Sequence, residues 1–349
     1  MKKLLVTMMV VILVVALAAC SNSKPANTAA TETPSTGSTS DTSDTGGRET
    51  KVIGFSYLHL DTAMTGWWEL DQKLMDEYNA DDSNPYYLEY YFTNAEADTA
   101  KELANVESLI VRKPDVIMIK PVDSDGSVPA FQAVQAAGIP VVNDGFTINY
   151  DGPDCTLIAM DNYYAGRLAG EWYSKYLEDN PDFVMNLCYL NADPSNQDMA
   201  ARHDGFMDVM NENWGDTGRF IVLSENIANY DANKGMAIAE DWLITFPQMN
   251  AIATSYDEIA IAAAQACSAA GREVLICGMD GLEGALLCIQ EGTMACSIVF
   301  DWDQMAVGSF EIIKSIISGE AYDKVFDVSA ISTSLCDASN VTEYLKRYQ

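Results

Sequence analysis

The chain has 349 residues, 51 of them Asp or Glu against 20 Lys or Arg, and a formal net charge of −31. A surface of that sign is repelled by nucleic acid and by anionic lipid, so a nucleic-acid partner is excluded. With 48% apolar residues and 8 cysteines, the composition is that of a globular chain with a hydrophobic core, not of a disordered or disulfide-built one.

Met1-Lys-Lys opens a leader whose apolar run, Leu4 to Ala19, is broken only by Thr7. A membrane-spanning helix needs roughly 20 apolar residues, whereas a signal-peptide core needs about 7 to 15 after a basic start. Residues 1–20 therefore read as a signal peptide. It ends in Leu17-Ala-Ala-Cys20, which resembles the lipobox of bacterial lipoproteins. The resemblance implies that Cys20 is lipidated, becomes the new N-terminus and holds the exported chain at the outer face of the cell membrane. Residues 21–49 are rich in Ser, Thr, Ala, Pro and Gly with no apolar periodicity, so they cannot bury enough surface to fold and read as a disordered tether. As a flexible coil it spans ~30 Å root-mean-square.

From residue 50 the chain is long enough for two domains of ordinary size. Short β-branched runs alternate with longer segments of helical period. The expected strands of the first half are VIGFSYL, YYLEYYF, DVIMIKP, IPVVND and CTLIAM; those of the second are FVMNLCYL, RFIVLSE, NAIATSY, EVLICGMD and MACSIVF. In the first half, AKELANVESLIVRK sets Ala100, Leu103, Val106 and Ile110 on one helix face. This alternation is the signature of α/β domains with parallel sheets. Ligands of such sheets bind at the carboxyl ends of the strands, and two sheets facing each other enclose a cleft. The residues just after each strand therefore carry the functional information. With Cys20 set aside, seven cysteines are left, an odd number without a CxxC; they sit in apolar runs such as NLCYL and LICGM and read as buried free thiols.

Six blocks occur in order: AKELANVESLIVRKPDVIMIKPVDSDG (100–126), AGIPVVND (137–144), MDNYYAGRLAGEW (160–172), YDANKGMAIAEDWL (230–243), SYDEIAIAAAQA (255–266) and GMDGLEGA (278–285). Together they resemble the ribose- and galactose-type periplasmic sugar-binding proteins of ABC transporters, the type I solute-binding fold. That resemblance implies two doubly wound, Rossmann-like parallel-sheet domains joined by a three-segment hinge, with hinge crossings near residues 160, 300 and 330. The N-terminal domain would comprise 50–160 with 301–330, and the C-terminal domain 161–300 with 331–349.

The resemblance also implies a site. Trp67 and Trp68, after the first strand, would stack on one face of a sugar ring, and Tyr230, just before the D-x-x-K-G segment, on the other. Sugar C–H faces match the negative face of an aromatic ring. Neighbours on a helix point about 100° apart, so the two tryptophans cannot share one core stripe. Asp280 takes the place of a carboxylate that accepts from sugar hydroxyls, and its four lone-pair sites suit adjacent hydroxyls. Asp144 fills a similar place in the other domain, one residue from the usual spacing, so Asn143 competes with it. Arg202 lies on a helix where the family uses an arginine on the sugar, although the binding position itself falls on Ala200; a surface ion pair is the other reading. Tyr256 and Phe300 stand where the ribose-type pattern has amides, which favours a less hydroxylated, substituted or larger ring over ribose. His59 and Asp61 read as a solvated loop or as a supplementary polar contact.

No P-loop, HExxH, GxSxG or strand-following GxGxxG occurs, so no enzyme, cofactor or metal is expected. The implied protein is a monomer that captures a monosaccharide or related small polar ligand and delivers it to an ABC transporter permease. The alternative is a receptor of the same fold reporting a sugar, nucleoside or autoinducer-like furanose to a membrane sensor kinase or chemoreceptor.

Overall fold

The computed structural model describes residues 47–348. The signal peptide, Cys20 and nearly all of the tether lie outside the described residues. Among those described, no helix is long and apolar enough to cross a membrane.

The first run of elements is β1 (Glu49–Tyr57), α1 (Thr62–Ala80), β2 (Tyr86–Asn94), α2 (Thr99–Val111), β3 (Val116–Lys120), α3 (Val128–Ala136), β4 (Val141–Asp144) and β5 (Cys155–Ile158). The second is α4 (Asn162–Asp179), β6 (Met185–Asn191), α5 (Gln197–Trp214), β7 (Phe220–Ile227), α6 (Ala232–Thr245), β8 (Ala251–Thr254), α7 (Asp257–Ala269), β9 (Leu275–Asp280), α8 (Glu283–Glu291) and β10 (Cys296–Phe300). The chain ends with α9 (Trp302–Ser318), β11 (Val325–Asp327), α10 (Ser329–Ser332), β12 (Thr333–Asp337) and α11 (Val341–Tyr344). They form two six-stranded sheets, in the orders β11-β5-β4-β3-β1-β2 and β12-β10-β9-β8-β6-β7. The pairing is parallel except where β12 closes the second sheet antiparallel to β10. The chain passes from one sheet to the other after β5, after β10 and after β11, and α9 returns to the first lobe, where Phe310 packs on Tyr78 of α1.

All ten expected strands lie on observed ones. The two short strands β11 and β12 had no sequence signal of their own, since their residues are mostly exposed or half-buried. The helix stripe needs a correction: on α2 the buried residues are Glu102, Val106 and Leu109, while Ala100 in the first turn is exposed. The helix is rotated to turn a carboxylate inward, which an apolar pattern cannot report. By contrast β3 is buried along its whole length, as a parallel strand covered on both faces must be.

In both sheets the first five strands take the order 2-1-3-4-5, which places the ligand crevice at the carboxyl ends of the first and third strands. In the second lobe, glycines bring α4 and α5 backbone to backbone. A Cβ at Gly166 would lie 2.1 Å from the Arg202 carbonyl oxygen, and one at Gly205 2.1 Å from that of Tyr163. This contact fixes Arg202 and Asn162 against each other. The seven cysteines are free, and all but the half-buried Cys288 are buried.

Candidate ligand-binding site

The carboxyl ends of the two sheets face each other across a closed cleft. On one side Asp61, the N-cap of α1, accepts from the Tyr256 hydroxyl of the other lobe, while the Thr62 hydroxyl donates to Glu258. On the other side the Thr147 hydroxyl and N–H donate to Asp198 at 2.7 and 3.0 Å. The contact at Asp61 removes it and His59 from solvent: their side chains are 14% and 17% exposed and bridged at 2.7 Å. They are part of the closure and not a solvated loop. Burial alone would raise the Asp61 pKa, but hydrogen bonds from His59, Met64 N–H and Tyr256 hold it below the usual carboxylate range.

Arg202 is buried at the centre of the second lobe, so the surface ion pair is overturned. Its Nη1 donates to Asp280 Oδ1 at 3.0 Å and to the Ser255 carbonyl at 2.8 Å, and its Nε donates to Asn162 Oδ1 at 2.8 Å. The guanidinium lies 5.0 Å from the Phe300 ring centre. Asp280, 3% exposed, uses one oxygen on Arg202 and leaves Oδ2 without a partner. Its backbone has φ 124°, a region that non-glycine residues adopt only when the surroundings enforce it. Burial pushes its pKa to about 8, with Arg202 opposing and Asp257 and Asp61 adding to the rise.

In the first lobe Lys120, the last residue of β3, is wholly buried. Its ammonium donates to Asp144 and sits 3.5 Å from the ring centre of Trp67 and 4.7 Å from that of Tyr57. Ser309 donates to the other Asp144 oxygen at 2.7 Å. Asp71, which accepts from the Tyr57 hydroxyl, is a second buried carboxyl here, raised by burial to about 7 against the pull of Lys120.

The two tryptophans do point apart. Trp67 is fully buried beneath Gly145, where an added Cβ would come within 2.6 Å of the indole, and Gly145 has φ 89°. Its ring contacts Phe146 and Trp302, at 6.3 and 5.7 Å between centres, and its Nε1 has no partner. Trp68 instead packs on the β2 side, 4.5 Å from Phe92 and 5.2 Å from Phe55. It does not lie with the other candidates. Tyr230, held at φ 57°, packs against His59 at 5.4 Å and Tyr256 at 5.6 Å. Asn143 points to the opposite sheet face from Asp144, as successive strand residues must; its Nδ2 donates to Phe146 O at 2.8 Å and its Oδ1 has no partner.

The structure thus gathers Arg202, Asp280, Tyr230, Tyr256 and Phe300, with His59 and Asp61 from the opposite lobe. Trp67, Trp302 and Phe300 continue this group into the Lys120 cluster, with 6.2 Å between the rings of the last two aromatics. An open groove of about 350 Å³, lined by Asn143, Phe146, Thr147, Met160, Asp198 and Lys324 among others, borders this group without reaching Asp280 or Arg202. It is the flank of the closed cleft. Sequence reasoning missed Lys120, Asn162, Ser255 and Trp302. Lys120 had a signal, a single charge ending the buried run VIMIK, at a strand end like those of Asp280 and Phe300.

The model of the periplasmic binding protein domain family matches residues 57–321. The ribose import binding protein of Escherichia coli K12 is 27% identical over 67% of this chain and 76% of its own length. A solved ABC transporter solute-binding protein of Bacillus halodurans C-125, with bound myo-inositol, is 26% identical and superposes with a TM-score of 0.74 over 87% of this chain and all of its own. The fructose-binding periplasmic domain of a hybrid two-component system shares the fold, at 20% identity and a TM-score of 0.73 over 85% of this chain and 95% of its own. These relatives are binding proteins, and none is described as an enzyme. With its two parallel-sheet lobes and the family match over most of its length, the chain belongs to the periplasmic binding protein family.

Proposed function

We propose that this protein is the solute-binding component of an ABC importer, a lipid-anchored monomer that captures a small sugar between its closing lobes and hands it to the permease. In this reading residues 50–160 with 301–330 make one lobe and 161–300 with 331–349 the other, which the division of the strands between two sheets supports. The observation that carries the reading is the meeting, across the lobe interface, of Asp61 and His59 with Tyr256, Tyr230, Asp280 and Arg202. Polar groups with unused hydrogen-bonding capacity beside aromatic faces are what a polyhydroxylated ring requires. A solute touching both lobes stabilises the closed form, because the open form offers it only half of those contacts. Export and the lipid on Cys20 account for the leader and tether.

A second reading, a receptor that reports its ligand to a sensor kinase or chemoreceptor, is favoured by one observation: the same fold serves as the fructose-binding domain of a two-component system. Either partner would read the closed lobes.

A thermal-shift screen against pentoses, hexoses, deoxy and amino sugars, inositols and nucleosides tests the capture. Ligand at a hundred times its dissociation constant adds about 2.7 kcal/mol of stability, which is visible as a raised Tm. A monosaccharide or inositol hit supports the reading. A nucleoside hit with silence across the sugars and inositols removes sugar capture and leaves the fold with another cargo.

A further inference from the structure

The charges of the closed cleft do not balance. Lys120 is buried with Asp144 and Asp71, and Arg202 with Asp280 and Asp257; all six residues are at most 3% exposed. Asp61 enters from the first lobe, and the imidazole of His59 is the further basic group that touches it. Two buried cations thus face five carboxyl groups. Most of these carboxyls have their oxygens taken. Ser309 and Lys120 hold Asp144, the Tyr57 hydroxyl donates to Asp71, Leu282 N–H and the Ser297 hydroxyl hold Asp257, and Met64 N–H, His59 and the Tyr256 hydroxyl hold Asp61, which keeps a lone-pair site for one more donor. Asp280 differs, because its Oδ2 is buried without any partner.

Contacts lead from Asp280 to the opposite lobe: Arg202 of α5 binds both Asp280 and the Ser255 carbonyl, the next residue Tyr256 packs its ring on Tyr230, and its hydroxyl reaches Asp61 across the cleft. Two carboxyls from opposite lobes and two electron-rich rings therefore converge where a single guanidinium is already committed to three acceptors. A neutral polyol would bring no charge to offset this surplus. An ammonium would answer both carboxyls with hydrogen bonds and lie against ring faces that attract cations. Resting on the reading of the chain as a sugar-capturing protein, the geometry points to a cationic solute, an amino sugar or aminocyclitol whose protonated amine sits between Asp280 and Asp61 beside Tyr230 and Tyr256. The raised Asp280 pKa agrees: without a cation the surplus charge is relieved by holding a proton.

The test is calorimetric titration of the detergent-solubilised full chain with two matched series. One is D-glucosamine, D-glucose and N-acetyl-D-glucosamine; the other is 1-amino-1-deoxy-scyllo-inositol, scyllo-inositol and the N-acetylated aminocyclitol. In at least one series the amine is expected to bind at least tenfold tighter than both neutral members. A smaller advantage in both series overturns the cationic solute while leaving sugar capture intact. Silence of all six compounds overturns the cationic solute and leaves sugar capture to be decided by the thermal-shift screen. In Asp280→Asn the amine's advantage should fall below about threefold, and asparagine is among the residues that best tolerate a positive φ. Asp61→Asn, which keeps the α1 cap, should lower the advantage in the same direction and serves where the first variant does not fold. An advantage unchanged in both variants would overturn the placement of the amine.

Discussion

Each lobe buries one cation with two carboxyls near the carboxyl ends of its sheet, yet the two clusters are built for different ends. In the first lobe Lys120 is sealed between Asp144 and the rings of Trp67 and Tyr57, and both Asp144 oxygens have partners. In the second, Arg202 leaves one Asp280 oxygen unpartnered on a strained backbone, in electrostatic reach of the opposite lobe. A buried ion pair whose lone pairs are filled is scaffold; one that keeps an unused acceptor facing a second domain is poised for a ligand. Asp144 and Asp280 end the fourth strands of their sheets, but their cations come from different elements, the end of β3 and the helix α5, and the two carboxylates differ in hydrogen-bond completeness.

The largest effect expected from this contrast is on stability. Lys120→Met leaves Asp144 buried without its cation and should lower the unfolding free energy by about 3–5 kcal/mol in a denaturant titration; a loss below about 1 kcal/mol would mean that the first cluster is not sealed. Asp280→Ala should act on binding instead, weakening the ligand found in the thermal-shift screen at least tenfold, about 1.4 kcal/mol. Unchanged affinity would remove Asp280 from the site and end the contrast.

Tyr256→Phe takes away the hydroxyl that donates to Asp61 across the cleft. Affinity should fall about threefold to tenfold, since a hydrogen bond to a charged group contributes roughly 1.5–3 kcal/mol and part of that is recovered by water in the open form. The radius of gyration by small-angle scattering should rise in the absence of ligand; an unchanged radius would show that the clasp does not hold the lobes.

Glu102 sharpens the comparison because it also carries a buried oxygen, Oε2, with no partner, while its other oxygen accepts from Val122 N–H of the same lobe. Burial raises its pKa from 4.5 to about 7, opposed by Ser127 and Val122. The folded chain therefore holds a proton that the unfolded chain releases. Its contribution to stability is full below pH 4.5 and is lost as pH rises through about 7. Glu102→Gln removes that loss, so Tm at pH 8 should rise by a few degrees while Tm at pH 5 hardly moves. Asp71 and Asp280, raised to about 7 and about 8, slope the same way, so the unliganded protein should melt lower at pH 8 than at pH 5.

Much of the fold was legible. A parallel strand covered on both faces is a short apolar run whatever its partners, and all ten such runs lie on observed strands. Local pairing chemistry failed at β11 and β12, whose strand state comes from the sheet edges they reach after a hinge crossing. The site was legible where a strand-end residue also fell on a position marked by the family resemblance, as with Asp280, Phe300 and Tyr256. It was obscured where a charge points inward. Arg202 left a ligand contact and a surface ion pair as rival readings, and Lys120 and Glu102 were passed over, because burial of a charge is licensed by partners distant in sequence: Asn162 and Asp280 for Arg202, Asp144 for Lys120, Val122 for Glu102.

The sequence by itself determined the α/β alternation, the order of the strands along the chain and the separation of Trp67 from Trp68, because these follow from backbone periodicity and local sterics. Only the tertiary structure decided which tryptophan is buried, which carboxylate is satisfied and which oxygen is left over. Those outcomes depend on desolvation and on hydrogen bonds between segments up to 196 residues apart, as in the contact of Thr62 with Glu258, and no local pattern encodes that balance.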